Sequence, residues 1–523
     1  MKIGFSTIFS YRPHVEQVFY LSQQLKKEGH EVFFLNCKGS LPTCYTQEIR
    51  PQNSKMKECI KCQIGSLYSY TKENTTFIDA KLQADLPDDV LYKLTKSSSF
   101  TLTRIEDPKD VLSDEVTSLQ RKFHPTINIV YENAKKWIKE NKLEFVFFFN
   151  GRMDATNALK QACADSGIKF TSVERPIFAH GLQFNFNENC LSLRAINELH
   201  SKYIDKPLTE HQAKLAASMV TSRFRREANL EWRSFNKDSI NEKWPTKGSG
   251  QKILIMPSSR NEVWSEHDWR NDWVEYPKIF DKVIEKISKE YGGDYSNCIL
   301  RAHPIWSQKL GGQDGSKIVT YYEKWCKDKG VLFIGPESRT SSSNLMQQAD
   351  FLILNGSSSA YESCILGVPT ISTARSGYKN ANISQVILCE EDLEKFNPKE
   401  LKNQDKKEQM RSTLRFIYSY FVRYAIFNSD IRATEVHNFS YAKNIDVKRL
   451  EKMMETGTLI PDDETYAENQ KDEDSIIELI SKKDWKGLEY SPSIKTNHLS
   501  KLRRRGLYIF VDSIRGYFKR GDL

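Results

Sequence analysis

Two short runs carry groups able to hold a phosphorylated nucleotide. The first is Arg301-Ala302-His303-Pro304. Arg301 and His303 can donate to an anionic phosphate, and a histidine can also protonate a leaving oxygen. The second is Asn355-Gly356-Ser357-Ser358-Ser359, with Glu362 three residues on and Gly367-Val368-Pro369 beyond it. Small hydroxyl residues at the start of a helix present free N–H groups and the positive end of its dipole. A carboxylate one turn later can accept from ribose hydroxyls. Each run also has a plain structural reading. His-Pro ends a strand, Ser359 and Glu362 match a capping box, and Gly367 with Pro369 stops a helix. Ser258 and Ser259, in Ser258-Ser259-Arg260-Asn261-Glu262, are expected to line the same donor pocket.

A transfer reaction also needs a base for the acceptor. The candidates are Asp154, in Asn150-Gly151-Arg152-Met153-Asp154, and Glu174, beside Arg175. Either carboxylate could deprotonate a hydroxyl, and Asp154 could instead be a helix-start carboxylate favoured by the dipole. Arg152 could clamp an anionic group. His14 could reach the same cleft from an early loop.

These residues need elements that bring them to one rim. Ile3 to Phe9 reads as a buried strand, Val15 to Leu25 as a helix closed by Gly29, and Glu31 to Leu35 as a second strand. This is a β-α-β unit with a right-handed crossover. The apolar run Phe145 to Phe149 ends in Asn150-Gly151, and Lys169 to Val173 delivers Glu174. A linker rich in Pro, Gly and Ser follows at 245–250. A second alternating block then places Arg301-His303 and Asn355-Ser359 at strand ends, as does Lys252 to Met256 for Ser258. Ligands of doubly wound sheets bind outside those ends. The expected fold class is α/β, two Rossmann-like domains facing a cleft. The expected boundaries are 1–243 (acceptor), 251–400 (nucleotide-sugar donor) and 401–523 (helical extension).

With both runs on the rim of one sheet, and with Ser10 to His14 and Glu28 to Val32 in the opening, the chain resembles GT-B glycosyltransferases of the bacterial capsule polysaccharide biosynthesis type over roughly residues 1–390, thinly between 40 and 125. The His-Pro and Ser-Ser motifs are similar to those of Kdo transferases and bacterial sialyltransferases, which use CMP-activated sugars. The resemblance implies that His303 and Ser357 to Ser359 contact the donor's phosphate and nucleotide. It also implies that Glu362 to Pro369 is the donor-binding helix. The family's acidic acceptor-side motif is not present in that form, so the base stays open between Asp154 and Glu174. The implied activity is transfer from a nucleotide-activated sugar, CMP-linked donors included, to a surface polysaccharide or glycolipid. A teichoic-acid type glycerophosphotransferase, a nucleotide-sugar epimerase and a non-catalytic membrane-associated scaffold remain alternatives.

Composition narrows the class further. The chain has 523 residues, 28% charged and 39% hydrophobic, as globular domains do. It has no P-loop signature, no His-Glu-x-x-His, and no Asp-x-Asp at a strand end, which argues against a metal-dependent GT-A transferase. No cofactor, metal or nucleic-acid partner is expected. Ten cysteines without a secretion signal read as reduced thiols of a cytoplasmic protein. Cys59-x-x-Cys62 with Cys44 and Cys37 could form a zinc site, but no second Cys-x-x-Cys or nearby histidine supports one. Trp264, Trp269 and Trp273 read as packing residues. The net charge is +9, and residues 499–523 hold seven Lys/Arg against two Asp. Leu502, Leu507, Phe510, Val511, Ile514 and Phe518 fall mostly on one helical face of that tail. A basic amphipathic tail suits an anionic membrane surface, at the inner face of the membrane, or packs on the domains.

Overall fold

The computed structural model describes residues 1–178, 180–228, 230–231, 238–266, 269, 277–308, 314–490 and 499–510. Trp273 and residues 511–523 lie outside them.

The first sheet is built from β1 (Lys2–Ser6), β2 (Glu31–Asn36), β3 (Thr75–Phe77), β4 (Phe145–Phe149), β5 (Lys169–Glu174) and β6 (Leu182–Phe186). The second holds β7 (Ile253–Met256), β8 (Cys298–Arg301), β9 (Leu332–Ile334), β10 (Phe351–Leu354), β11 (Thr370–Ser372) and β12 (Gln385–Val386). The chain then returns to the first sheet through β13 (Ala425–Ile426), and β14 (Ile431–Glu435) pairs with β15 (Asn438–Tyr441). The strand orders are β13-β6-β5-β4-β1-β2-β3 and β12-β11-β10-β7-β8-β9. The second sheet is wholly parallel, and β1 to β5 are parallel in the first. These are two doubly wound α/β units, as the strand–helix rhythm anticipated.

Burial on both faces explains the central strands. Every residue of β4 is buried. Phe145 and Phe147 join the core around helix His14–Lys27, while Val146 and Phe148 join the opposite core around helix Asp114–Asn141. Such a strand carries no polar alternation, because neither face meets water. Gly4 in β1 is required by close approach, since a Cβ there would lie 2.4 Å from Trp137 Cη2 and 2.8 Å from Leu143 Cδ1. Gly4→Ala is expected to cost about 1–3 kcal/mol through overpacking, read as a lower denaturation midpoint with an unchanged slope in urea.

Two expectations about organisation are corrected. Helix Glu210–Phe224 precedes the linker, yet its Ala213, Ala216, Ala217 and Val220 share a core with Leu254, Leu352 and Leu354 of the second sheet. An amphipathic pattern reveals which face is buried but not which sheet it meets. The segment after 400 is not purely helical either. Helix Lys406–Tyr418 and the π-helical turn Ser419–Arg423 cross back from the second core, and β13 joins β6. Two residues are too short a strand to leave a periodic signal. Arg423, fully buried, anchors the crossing between the rings of Tyr203 and Tyr418, at 3.9 and 4.8 Å.

Candidate functional site

In each sheet the strand order reverses at one place, between β1 and β4 and between β7 and β10. Those are the crevices where open α/β sheets take ligands. The loops leaving these four strands carry His14, Asn150–Asp154, Ser258–Asn261 and Asn355–Ser359.

On the first sheet the centre of the site is Glu174. Its Oε1 receives Arg175 N at 3.1 Å and lies 3.2 Å from His14 Nε2, and its Oε2 accepts from Asn150 Nδ2 at 3.3 Å. The side chain keeps 25% of its surface exposed. Burial raises its pKa to about 7, against the pull of its hydrogen bonds and of Arg152 and Arg175. His14 is buried, its ring stacked on Phe149 at 4.0 Å. Burial first, then Arg175 and His437, lowers its pKa to about 3, so it is a neutral imidazole. With Oε1 beside Nε2, that nitrogen is the donor and His14 holds the carboxylate in place. Asn150 reaches Glu174 because it takes a left-handed conformation (φ 68°) before Gly151 (φ 78°), turning the chain sharply off β4.

On the second sheet Asn355 clasps the end of β7. Its Oδ1 accepts from Ser258 N at 2.5 Å, and its Nδ2 donates to Ser258 O at 2.9 Å. Gly356 follows at φ 84°, where a Cβ would meet Arg375 O at 2.9 Å. The serines then bond among themselves: Ser357 Oγ donates to Ser359 Oγ and accepts from Ser359 N, both at 3.3 Å. His303 is partly exposed, and its Nδ1 accepts from Ile305 N at 3.1 Å. Its Nε2 therefore carries the proton. Ser259 Oγ accepts from Trp306 Nε1 at 2.9 Å.

Glu362 is buried, and its Oε1 accepts from Arg223 Nη1 at 2.7 Å. The capping box with Ser359 is not formed. Arg223 also donates from Nε to Glu231 at 2.9 Å and from Nη1 to Ser358 Oγ at 3.5 Å. Burial raises the Glu362 carboxyl, and Arg223 opposes this. Glu362 Oε2 makes no hydrogen bond among the described residues, so one oxygen stays available as an acceptor.

The carboxyl ends of the two sheets meet directly. Arg152 Nη2 lies 3.4 Å from Glu262 Oε1, Asn189 Nδ2 donates to Glu266 at 2.9 Å, and Trp269 Nε1 donates to Leu191 O at 2.7 Å. Glu106 is buried between the units. It accepts from Tyr322 OH at 2.5 Å and from Arg260 N at 3.0 Å, and burial raises its pKa to about 7. Trp264 packs beside Phe100, Ile105 and Val116 under the Arg260 guanidinium.

Several predicted site residues are placed otherwise than expected. Asp154 is fully buried and faces inward. Its Oδ2 accepts from Tyr45 N at 3.1 Å and its Oδ1 from Ser98 Oγ at 3.2 Å. It ties helix Asp88–Thr103 to the start of helix Asp154–Asp165 and is closed off from solvent. Asp154→Asn is therefore expected to lower kcat/KM by about threefold at most, a loss of transition-state stabilisation under about 1 kcal/mol; steady-state rates check it. Arg301 is buried too. It donates to the carbonyls of Ala302, Gly335 and Ser338 at 2.7–2.9 Å, so it holds the loop after β9 rather than a phosphate. Arg152 gives Nη1 to Ser97 at 2.7 Å and bridges the units through Glu262.

Arg223 and Glu106 were missed. Neither stands at the end of an apolar run or in a motif that would mark it in sequence. Cys37, Cys44, Cys59 and Cys62 do line one cavity, of about 20 Å³, room for a single water. Among the described residues, however, no group of His, Cys, Asp or Glu is placed to hold a metal ion.

No family model matches the chain, and no curated protein matches it. Among solved structures it is similar to the β-Kdo 2,4 transferase of Thermosulfurimonas dismutans KpsC, at 11% identity over 54% of this chain and 80% of that one, with a TM-score of 0.33. It is also similar to UDP-GlcNAc 2-epimerase of Methanocaldococcus jannaschii, at 13% identity over 79% and 98%, TM-score 0.29. A third is the Streptomyces sp. SF2575 glycosyltransferase SsfS6, at 11% identity over 80% and 95%, TM-score 0.23.

Proposed function

We propose that the protein is a GT-B glycosyltransferase that moves a sugar from a nucleotide-activated donor, CMP-linked, to a surface polysaccharide or glycolipid. The observation that carries this reading is the pairing of two crevices. Glu174, braced by His14 and Asn150, stands at one. The Asn355–Ser359 loop stands at the other, with Glu362 behind it.

The steps follow from the groups present. The acceptor hydroxyl approaches Glu174 Oε2, whose carboxyl near neutral pKa is poised to take its proton as the new bond to the anomeric carbon forms. The bond from that carbon to the donor phosphate breaks, and its electrons stay on the phosphate oxygen. His303 donates from Nε2 to the departing phosphate, and the serine hydroxyls and N–H groups meet its remaining charge. Glu362 Oε2 accepts from a ribose hydroxyl. His303 and the serines supply the charge stabilisation of a metal-independent transfer.

Calorimetric titration with CMP, UDP and GDP tests the donor side. CMP is expected to bind, and His303→Ala to weaken it about tenfold or more, as for a charge-assisted hydrogen bond. Binding of none of the three, or equal binding by the variant, would overturn the assignment. Turnover of a donor sugar without acceptor would favour an epimerase instead.

A further inference from the structure

Among the described residues no helix is long and apolar enough to cross a membrane. Five of the ten exposed large apolar residues among those described fall on two segments. Met56 and Ile60 stand out on helix Lys55–Gly65, at 72% and 50% exposed. Leu507, Ile509 and Phe510 stand out on the C-terminal segment, Leu507 at 85%.

These two segments are bound side by side. Arg504, itself buried, donates from Nη1 to Ile64 O at 2.7 Å and lies over the Tyr70 ring. Arg505 donates from its backbone N to Ser69 O at 2.9 Å and from Nε to Tyr68 O at 2.7 Å, its guanidinium 4.2 Å above the Tyr68 ring. Ser500 pairs with Tyr441 upstream. Two of the tail's arginines are thus structural clamps, and the tail is not a free arm over this stretch. They fix the apolar Leu507–Phe510 end beside the segment that follows helix Lys55–Gly65.

The exposed charges of the two segments themselves have one sign. Lys55, Lys57, Lys501 and Arg503 are exposed. The one acid of the helix, Glu58, is buried and neutralised by Arg50 at 3.3 Å and Lys61 at 3.1 Å. Residues 499–510 contain no acid. Exposed apolar groups amid these cations, for which no ion pair is found among the described residues, match an anionic lipid surface, where the chains enter the headgroup region and the cations meet lipid phosphate.

We propose that helix Lys55–Gly65 and the segment 501–510 form one composite docking surface for an anionic bilayer, assembled by Arg504 and Arg505. Its position suits the reaction. Gly65 is seated against Ser10, where an added Cβ would lie 2.9 Å from the serine Cβ, and Ser10 belongs to the loop between β1 and His14. The bilayer face therefore ends beside the acceptor crevice. The surface does not depend on the donor reading, because binding to lipid is measured without nucleotide.

Flotation of the full chain with vesicles tests it, comparing phosphatidylcholine alone with phosphatidylcholine containing 30% phosphatidylglycerol. The protein is expected to bind the anionic vesicles and to be released by salt. Lys55→Gln with Lys57→Gln should weaken partition about 25-fold, roughly fivefold per lysine. Met56→Ser with Ile60→Ser, and Leu507→Ser with Phe510→Ser, should each weaken it by about tenfold or more. All six positions are exposed, so unchanged thermal melts are the expected control. Equal binding to neutral vesicles would overturn the proposal, as would anionic binding that the helix variants leave unchanged. Sedimentation showing that the same substitutions dissolve a dimer would assign the surface to a second copy of the chain instead.

Discussion

Glu174→Gln is expected to lower kcat by about a thousandfold while leaving CMP affinity unchanged, the size of loss that follows removal of a positioned general base. The change keeps the shape and removes only the ability to take a proton. It separates Glu174 from Asp154, whose Asn variant should stay active. The pH profile gives a second readout. A base works when ionised, and the Glu174 carboxyl sits at about 7 in the folded protein. The rate should therefore climb with pH through about 7 and level off above it. The stability change has the opposite sign. The folded carboxyl lies above its ordinary value of 4.5. Between those values the folded state holds a proton that the unfolded state has lost. Wild type should therefore lose stability relative to the variant as pH rises from about 4.5 to 7, with no further change above. Denaturation midpoints of both proteins at pH 4.5 and 8 measure this. A flat difference would mean that Glu174 titrates as it does in water, and a rate unchanged in the variant would remove it from the chemistry.

Glu362→Ala is expected to have the largest combined effect, on folding and on donor binding. Its partner Arg223 is buried with it at 2.7 Å. Removing one member of such a pair leaves a charge that water cannot reach, at a cost of about 3–5 kcal/mol. Glu231 still faces Arg223 Nε, which places the expected loss at the lower end of that range. Donor affinity should fall about tenfold to a hundredfold, since a hydrogen bond to a charged acceptor contributes about 1.5–3 kcal/mol. Arg223→Met separates the two effects. It leaves Glu362 and Glu231 buried without their shared cation, so stability falls comparably, but the acceptor Oε2 remains and CMP binding should fall less. The double variant should be more stable than the two single losses imply, and the difference is the coupling energy of the pair. Equal nucleotide affinity in Glu362→Ala and wild type would make the pair purely structural.

The elements that position the site could be read from local pattern, because a strand buried on both faces and a helix buried on one leave periods of their own. β1, β4, β5, β7, β8 and β10 all fall where apolar runs end in polar residues. Those endings located His14, Glu174, His303 and Ser357 to Ser359 on the two rims. The doubly wound fold followed from the same alternation, since parallel strands joined by helices have few arrangements open to them.

Tertiary structure decided which of those polar residues are left open to the crevices. Asp154 and Glu174 look alike in sequence, each a carboxylate after a buried strand. Ser98 and Tyr45 close over one, while the other keeps an oxygen towards the cleft. Arg301 and His303 are two residues apart, yet the arginine is drawn into three carbonyls and the histidine stays partly exposed. The decisive partners lie far off along the chain, 139 residues for Arg223 and Glu362 and 216 for Glu106 and Tyr322. Residue type and spacing determined the chemistry available at each strand end. Burial and pairing, which arise only when distant segments meet and exclude water, determined where that chemistry is free to act.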